Sequence, residues 1–123
     1  MLSGKVTELR EADGVMRVRL EESACQIETP LGYAAIGSSV RVAIRAGDIL
    51  LATERPHGLS ARNVISGEII SMEQRGTIVI ARVDCGAIFT VHLTPGAVRT
   101  LQLASDLRVW LVLKTHSCHF VED

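Results

Sequence analysis

The chain has 123 residues, of which 47% are hydrophobic, and a formal net charge of −1. This composition is typical of a folded soluble protein that is long enough for one ordinary domain or two very small ones. Thirteen basic residues against fourteen acidic ones, and only one Trp, one Tyr and two Phe, leave neither a basic stripe nor a stacking surface, so we do not expect nucleic acid as a partner.

Alternating apolar and polar residues dominate the chain and predict a protein made mostly of β-strands. The clearest strands are residues 15–20 and 40–45, where β-branched side chains point to one face. Turn signals separate the strands. We expect positive φ angles and tight connections at four glycines, namely Gly14, Gly47, Gly76 and Gly86.

The second half of the chain repeats the first. The matching segments are residues 2–6 and 65–69, Thr29-Pro30 and Thr94-Pro95, residues 40–42 and 107–109, and residues 44–46 and 113–115. Their offset grows from 63 through 65 and 67 to 69, as expected for two diverged copies with short loop insertions. We therefore predict two units, residues 1–56 and 57–123. The connection at residues 53–59 is too short for a flexible tether, so the units should touch.

The second copy has room for one short helix, about residues 95–103. Thr94 is a suitable N-cap, Pro95 a suitable first helical residue, and Val98, Leu101 and Leu103 are the expected buried stripe. The first copy has Gly32 and Gly37 in the equivalent stretch and should form only a turn.

Motifs of catalysis are absent from the sequence, which has no phosphate-binding loop, nucleophile elbow or His-Glu-x-x-His helix. We expect the chain not to be an enzyme by itself. The segment from His116 to His119 includes Cys118 and could bind a metal with Cys85 or His92, but a polar strand end explains it as well.

The expected location is the cytoplasm. Cys25, Cys85 and Cys118 form an odd, widely spaced set, which suits reduced thiols better than disulfides. The apolar runs are far shorter than the roughly 20 residues of a membrane span, and no signal peptide is recognisable.

The most distinctive segment is Ser60-Ala61-Arg62-Asn63, followed by an apolar strand with Gly67 inside it. It resembles the signature that opens each unit of the molybdate-binding Mop/TOBE family. Leu93-Thr94 and Leu113-Lys114-Thr115 are similar to two further family positions. Residues 42–56 look like the segment that precedes the signature in the C-terminal regions of molybdate importer ATPases.

This resemblance implies an all-β fold of two tandem, five-stranded barrels of the oligonucleotide-binding (OB) type, and a molybdate or tungstate ion held where units or subunits meet. It also implies a homodimer that belongs to an ABC importer with nucleotide-binding and membrane subunits. The implied binding residues are Ser60, Ala61, Arg62, Thr94, Lys114 and Thr115. Two features depart from the family: Ala97 stands where a hydroxyl residue is common, and the first copy has no Ser-Ala-Arg-Asn segment.

The chemistry of these residues supports the same hypothesis. A small dianion leaves water only when several donors surround it, and charge-assisted hydrogen bonds from Arg62 and Lys114 would be strong. A helix that begins at Thr94 would leave the backbone N–H groups of Gly96 and Ala97 free for an anion.

Each of these residues also has a simpler interpretation. Arg62 and Asn63 could shape a turn, Lys114 could be a solvated charge, and Thr94-Pro95 could serve only to start a helix. Trp110 could lie in a barrel core or at a subunit contact.

The sequence therefore predicts an oxyanion-binding regulatory and dimerisation module. Two alternatives remain open: a purely structural dimerisation module, or the TOBE module of another ABC importer. Met1 could begin an excised fragment or a module encoded by itself.

Overall fold

The structure, a computed structural model, describes residues 1–121 and arranges them in two five-stranded antiparallel sheets with one short helix. The predicted all-β fold of two five-stranded units is confirmed. In chain order the elements are β1 (Leu2–Arg10), β2 (Val15–Leu20), β3 (Gln26–Pro30), β4 (Ser39–Ile44), β5 (Leu50–Ala52), β6 (Asn63–Arg75), β7 (Ile78–Asp84), β8 (Ile88–Leu93), α1 (Pro95–Leu101), β9 (Arg108–Leu113) and β10 (Cys118–Val121).

The two sheets exchange their last strands. The first sheet has the order β10-β4-β1-β2-β3, and the second has the order β5-β9-β6-β7-β8. Strand β5 therefore leaves the first copy to pair with β9, and β10 returns from the second copy to pair with β4. Each sheet takes one strand from the other side of residue 56, so a cut there would remove an edge strand from both.

The repeat is visible in the backbone of β1 and β6. Each strand has a β-bulge, at Thr7 and at Ile70, 63 residues apart. Gly4 and Gly67 have the same spacing, and a Cβ at either would lie 2.5 Å from a neighbouring atom, the carbonyl oxygen of Arg19 or the Sγ of Cys85. These shared features agree with the first offset of the predicted repeat.

The sequence match between residues 40–42 and 107–109 does not agree with the strand pairing of the two sheets. Val40 pairs with Gly4 and Val109 pairs with Gly67, so the offset at β4 and β9 is 69, and the matched block 107–109 is displaced by two residues. A displacement of two keeps every side chain on the same face of a strand, so an alternating pattern cannot reveal it.

The Thr29-Pro30 match is also not structural. Thr29 lies fully buried inside β3, opposite Met16, whereas Thr94 precedes a helix. Pro30 ends an edge strand, a position at which a missing N–H is tolerated. Residues 31–38, between β3 and β4, form turns and no helix, as predicted from Gly32 and Gly37.

The helix is shorter than predicted. It ends at Leu101 because Gln102 takes a left-handed conformation with φ of 52°. Leu101 is 38% exposed, so its predicted burial is wrong, while Leu103 is buried just beyond the helix. Within residues 1–121, no helix has the length and apolar character needed to cross a membrane.

Three of the four predicted glycine turns are confirmed, since Gly14, Gly76 and Gly86 have positive φ angles. Gly47 does not; it lies in a short 3-10 helix, Ala46–Asp48, which replaces a tight turn between β4 and β5.

The buried side chains of both sheets form one continuous hydrophobic cluster, built mainly from Val, Ile and Leu. The 3-10 helix Ala46–Asp48 packs against β8, and its counterpart Thr115–Ser117 packs against β3. The predicted contact between the units is therefore confirmed.

Trp110 is half-buried outside this cluster, with the guanidinium carbon of Arg55 at 5.2 Å from its ring centroid.

Candidate functional site

Arg62 and Lys114 lie at the same end of the second sheet. Strand β6 begins at Asn63, which pairs with Leu113, the last residue of β9. Because the two strands are antiparallel, the residue before Asn63 and the residue after Leu113 flank the same end of this ladder. Both cations are exposed. The register thus brings together two of the charges that the sequence predicts for an anion.

The other predicted residues of this group have mixed exposure. Ser60 is exposed and Ala61 is half-buried. Thr115 is 7% exposed, and its buried Oγ1 has no hydrogen-bond partner among the described residues. A buried hydroxyl is normally hydrogen-bonded, so Thr115 is a candidate partner for a ligand oxygen.

The side chain of Asn63 links this end of the second sheet to the first sheet through hydrogen bonds. This side chain is buried; Oδ1 accepts a hydrogen bond from the Glu28 N–H at 2.7 Å, and Nδ2 donates to the Glu28 carbonyl at 2.9 Å. The amide therefore satisfies both backbone groups of one residue on the edge strand β3. The sequence suggests only that Asn63 shapes a turn, and nothing in the spacing of Asn63 and Glu28 predicts their contact.

Glu28 also contacts Arg62 through its side chain. Its Oε2 lies 3.8 Å from Nε of Arg62, and the Glu28 side chain is 11% exposed while that of Arg62 is 68% exposed. Lys114, in contrast, forms no ion pair with any residue of the described chain. One of the two cations is thus partly neutralised within the protein.

Thr94 is the N-cap of α1, as predicted. Its Oγ1 accepts a hydrogen bond from the Ala97 N–H at 3.1 Å, and its carbonyl accepts from the Val98 N–H at 3.2 Å. The Ala97 N–H, which we expect to face an anion, is therefore already paired in this chain. The Thr94 hydroxyl can still donate its own hydrogen, and Thr94 is exposed while Gly96 and Ala97 are half-buried.

The predicted residues form two separate groups. Leu93, just before Thr94, pairs with Val79, and Val79 pairs with Gln74 near the far end of β6. Asn63 lies at the opposite end of the same strand, about 36 Å of extended backbone away. We name the two sets the signature group (Ser60, Ala61, Arg62, Lys114 and Thr115) and the helix group (Thr94, Gly96 and Ala97).

The cysteines and histidines do not form a metal centre in the described chain, where no three His, Cys, Asp or Glu residues are close enough to hold an ion. Cys118 is buried in the core, and its burial raises the pKa of its thiol to about 12. Burial, followed by the neighbouring Cys25 and Asp84, raises the pKa of Cys85 to about 12. Burial therefore disfavours the thiolate form that a metal ligand takes.

Comparison with known proteins finds relatives that match most of the chain. The family model described as TOBE domain matches residues 59–120. The molybdenum import ATP-binding protein ModC of Mesorhizobium japonicum is 36% identical over 119 residues, which are 95% of this chain and 32% of that protein. The molybdate/tungstate import ATP-binding protein WtpC of Pyrococcus abyssi is 30% identical over 97 residues, 78% of this chain and 27% of that protein.

Among solved structures, the cytoplasmic molybdate-binding protein ModG with molybdate bound has a TM-score of 0.83 at 21% identity, covering 97% of this chain and 92% of ModG. At that identity the match supports the fold. The chain spans about a third of the length of the curated ModC relative.

Proposed function

The chain belongs to the TOBE domain family, and we propose that it is an oxyanion-binding module that takes molybdate or tungstate. One observation carries this proposal: the pairing of Asn63 with Leu113 brings Arg62 and Lys114 to one end of the β6/β9 ladder, and Lys114 is followed by Thr115, whose buried hydroxyl has no hydrogen-bond partner among residues 1–121. The names of the relatives, which are molybdenum and molybdate/tungstate import proteins, support the choice of ligand.

The signature group offers what a tetrahedral dianion needs. Two cationic side chains would supply charge-assisted hydrogen bonds, and the Thr115 hydroxyl, which is unpaired within the described residues, would supply a neutral donor. Removing a dianion from water is costly unless several donors replace its hydration shell. Ser60 and the backbone of Ala61, which directly precede Arg62 in the chain, would add further donors.

We further propose that a second copy of the chain completes the site. The helix group lies at the other end of β6 from the signature group, so the strand register of one chain keeps them apart. A symmetric homodimer would contain two equivalent sites, and in each one the signature group of one chain would face the helix group of the other. Thr94, Gly96 and Ala97 would then add donors from the partner subunit.

The proposed setting is the cytoplasmic side of an ABC importer, where the module would regulate or dimerise the nucleotide-binding subunits that act with the membrane subunits. Import ATP-binding proteins of which this chain matches about a third support this setting. We expect these 123 residues to bind the anion without hydrolysing ATP, since the sequence has no phosphate-binding loop.

Isothermal titration with molybdate, sulfate and phosphate tests the proposal. We expect micromolar or tighter binding of molybdate, and a loss of about tenfold or more in Arg62→Ala and in Lys114→Ala, because each substitution removes a hydrogen bond to a charged group worth about 1.5–3 kcal/mol. Lys5→Ala and Arg19→Ala, on the first sheet, are the controls and should bind as the wild type does. A flat trace with millimolar molybdate would rule out the proposed ligand, and equal losses in all four variants would indicate diffuse electrostatics.

A purely structural dimerisation module is the second candidate. Two observations favour it: Ala97 lacks the hydroxyl that is common in the family, and the carboxylate of Glu28 lies beside Arg62. A dimer whose stability does not respond to molybdate would support this candidate. Binding of sulfate or phosphate in preference to molybdate would instead indicate the TOBE module of another importer.

A further inference from the structure

Glu28 forms an ion pair with Arg62 of the proposed anion site. Its carboxylate Oε2 lies 3.8 Å from Nε of Arg62, and its side chain is almost nine-tenths buried. The two hydrogen bonds from Asn63 hold its backbone on both sides. The backbone of Glu28 is therefore held next to Asn63, the neighbour of Arg62, and its carboxylate is largely buried beside the guanidinium.

Two other arginines near Glu28, Arg10 and Arg17, form ion pairs with Glu8. Arg17 pairs directly with Glu28 across β2 and β3, but its guanidinium faces Glu8, with Nε 3.5 Å from Glu8 Oε2. Arg10 donates to Glu8 Oε1 at 2.9 Å, and Glu8 is the first cause of the raised pKa of Arg10 while Glu28 is the last. Arg62 is therefore the ion-pair partner of Glu28 in the described chain.

We propose that Glu28 is a built-in competitor for Arg62, which lowers the affinity of the site for dianions and thereby helps to set its selectivity. This inference rests on the proposed oxyanion site. An anion bound to the exposed guanidinium of Arg62 would lie a few ångströms from the Glu28 carboxylate, whose burial leaves little water to screen the repulsion between like charges. The repulsion grows with the charge of the ligand, so a dianion is penalised more than a monoanion of the same shape.

Two ligands of equal shape separate this electrostatic role from a structural one. Molybdate and perrhenate are both tetrahedral oxyanions, with charges of −2 and −1. We expect Glu28→Gln to bind molybdate at least about threefold more tightly than the wild type, and to gain less for perrhenate, because Coulomb repulsion scales with ligand charge. In the Arg62→Ala background the same substitution should gain less, because the competition for the guanidinium is absent.

Glu73→Gln is the matched control. Glu73 also forms an ion pair with an arginine, Oε1 to Arg75 Nε at 3.1 Å, but it lies near the far end of β6 from Arg62. Glu73 cannot compete for Arg62, so Glu73→Gln should leave the affinity of the monomer for molybdate unchanged; a change seen only in the dimer would come from the partner's helix group, which lies at the Glu73 end of β6. Glutamine keeps the size of the Glu28 side chain, and the Asn63 hydrogen bonds go to the backbone, so an unchanged melting temperature will show that the fold is retained.

The possible results of titration calorimetry are distinguishable. Tighter binding of molybdate in Glu28→Gln, with a smaller gain for perrhenate, supports the inference. If the wild type binds molybdate and Glu28→Gln binds equally or less well, the inference is overturned while the proposed site stands. Binding by Glu28→Gln alone would support the inference and show that Glu28 closes the wild-type site. If neither protein binds, both the inference and the proposed function fail.

Discussion

Asn63 shows how one side chain can take the place of a neighbouring strand. Strand β3 is an edge of the first sheet, and its Glu28 has a backbone N–H and a carbonyl that need partners. The Asn63 amide satisfies both of them from the start of β6. The signature segment is therefore a structural link between the sheets as well as part of the proposed anion site.

Asn63→Ala should destabilise the protein without touching a charge. The buried N–H and carbonyl of Glu28 would lose their partner, which costs about 1–3 kcal/mol in the free energy of unfolding. Chemical denaturation measures this loss. Gln74→Ala is the control, since the amide of Gln74 makes an exposed hydrogen bond to the Gly76 carbonyl at 3.2 Å and should contribute less than about 0.5 kcal/mol. Similar losses in both variants would contradict the structural role of Asn63.

Gly67 allows β6 to approach the neighbouring strand closely. A Cβ there would lie 2.5 Å from Sγ of Cys85 and 3.0 Å from the Asp84 carbonyl oxygen. We expect Gly67→Ala to lower the free energy of unfolding by about 1–3 kcal/mol, the usual cost of overpacking. Gly47→Ala is the control because no atom lies within 4 Å of its added Cβ and its φ is not positive. If Gly67→Ala leaves the free energy of unfolding unchanged, β6 can move away from the neighbouring strand at this point.

At the scale of elements, the exchange of β5 and β10 determines what can fold alone. All five strands of the second sheet lie within residues 45–117, whereas residues 57–123 lack β5. Without β5, strand β9 would have an open edge, and the contribution of Leu51 to the common core would be lost.

Two fragments of similar length therefore differ in their expected stability. We predict that residues 45–117 form more β-structure and melt more cooperatively than residues 57–123, because only the former has a complete sheet. Far-ultraviolet circular dichroism during heating provides the comparison. Greater cooperativity in residues 57–123 would argue that each sequence copy folds as its own unit, without the exchanged strand.

At the scale of the whole molecule, the chain exposes several large apolar side chains. Tyr33 and Ile36 project from the loop between β3 and β4, and Leu50 on β5 is 64% exposed. A protein of two very small units gains little stability from its own core and often buries such residues in an oligomer. Together with the separation of the signature and helix groups, this surface favours the homodimer that we propose.

Association and anion binding should then be linked. If each site is shared between two chains, molybdate binds the dimer better than the monomer and must favour assembly by mass action. The melting temperature should rise with protein concentration and rise further with molybdate. Analytical ultracentrifugation tests the assembly directly: a monomer at tens of micromolar that stays monomeric in saturating molybdate would exclude the shared site.

The sequence by itself determined the strands and the kind of fold. Alternation of apolar and polar residues locates β2 and β4 to within one residue at each end, and Thr94-Pro95 marks the start of the only α-helix in the described chain. These features are local, because burial of one face and capping of a helix depend on neighbouring residues.

Only the tertiary structure decided the register, the exchange of strands and the surroundings of Arg62. A slip of two residues between β4 and β9 leaves the same faces buried, so the pattern of residues 107–109 could not exclude it. Strands β5 and β10 carry short apolar patterns that either sheet could accept. Glu28 lies 34 residues before Arg62 in the chain, and their contact exists because β3 is an edge strand to which Asn63 binds. Contacts of this kind depend on how whole sheets meet, which no local pattern encodes.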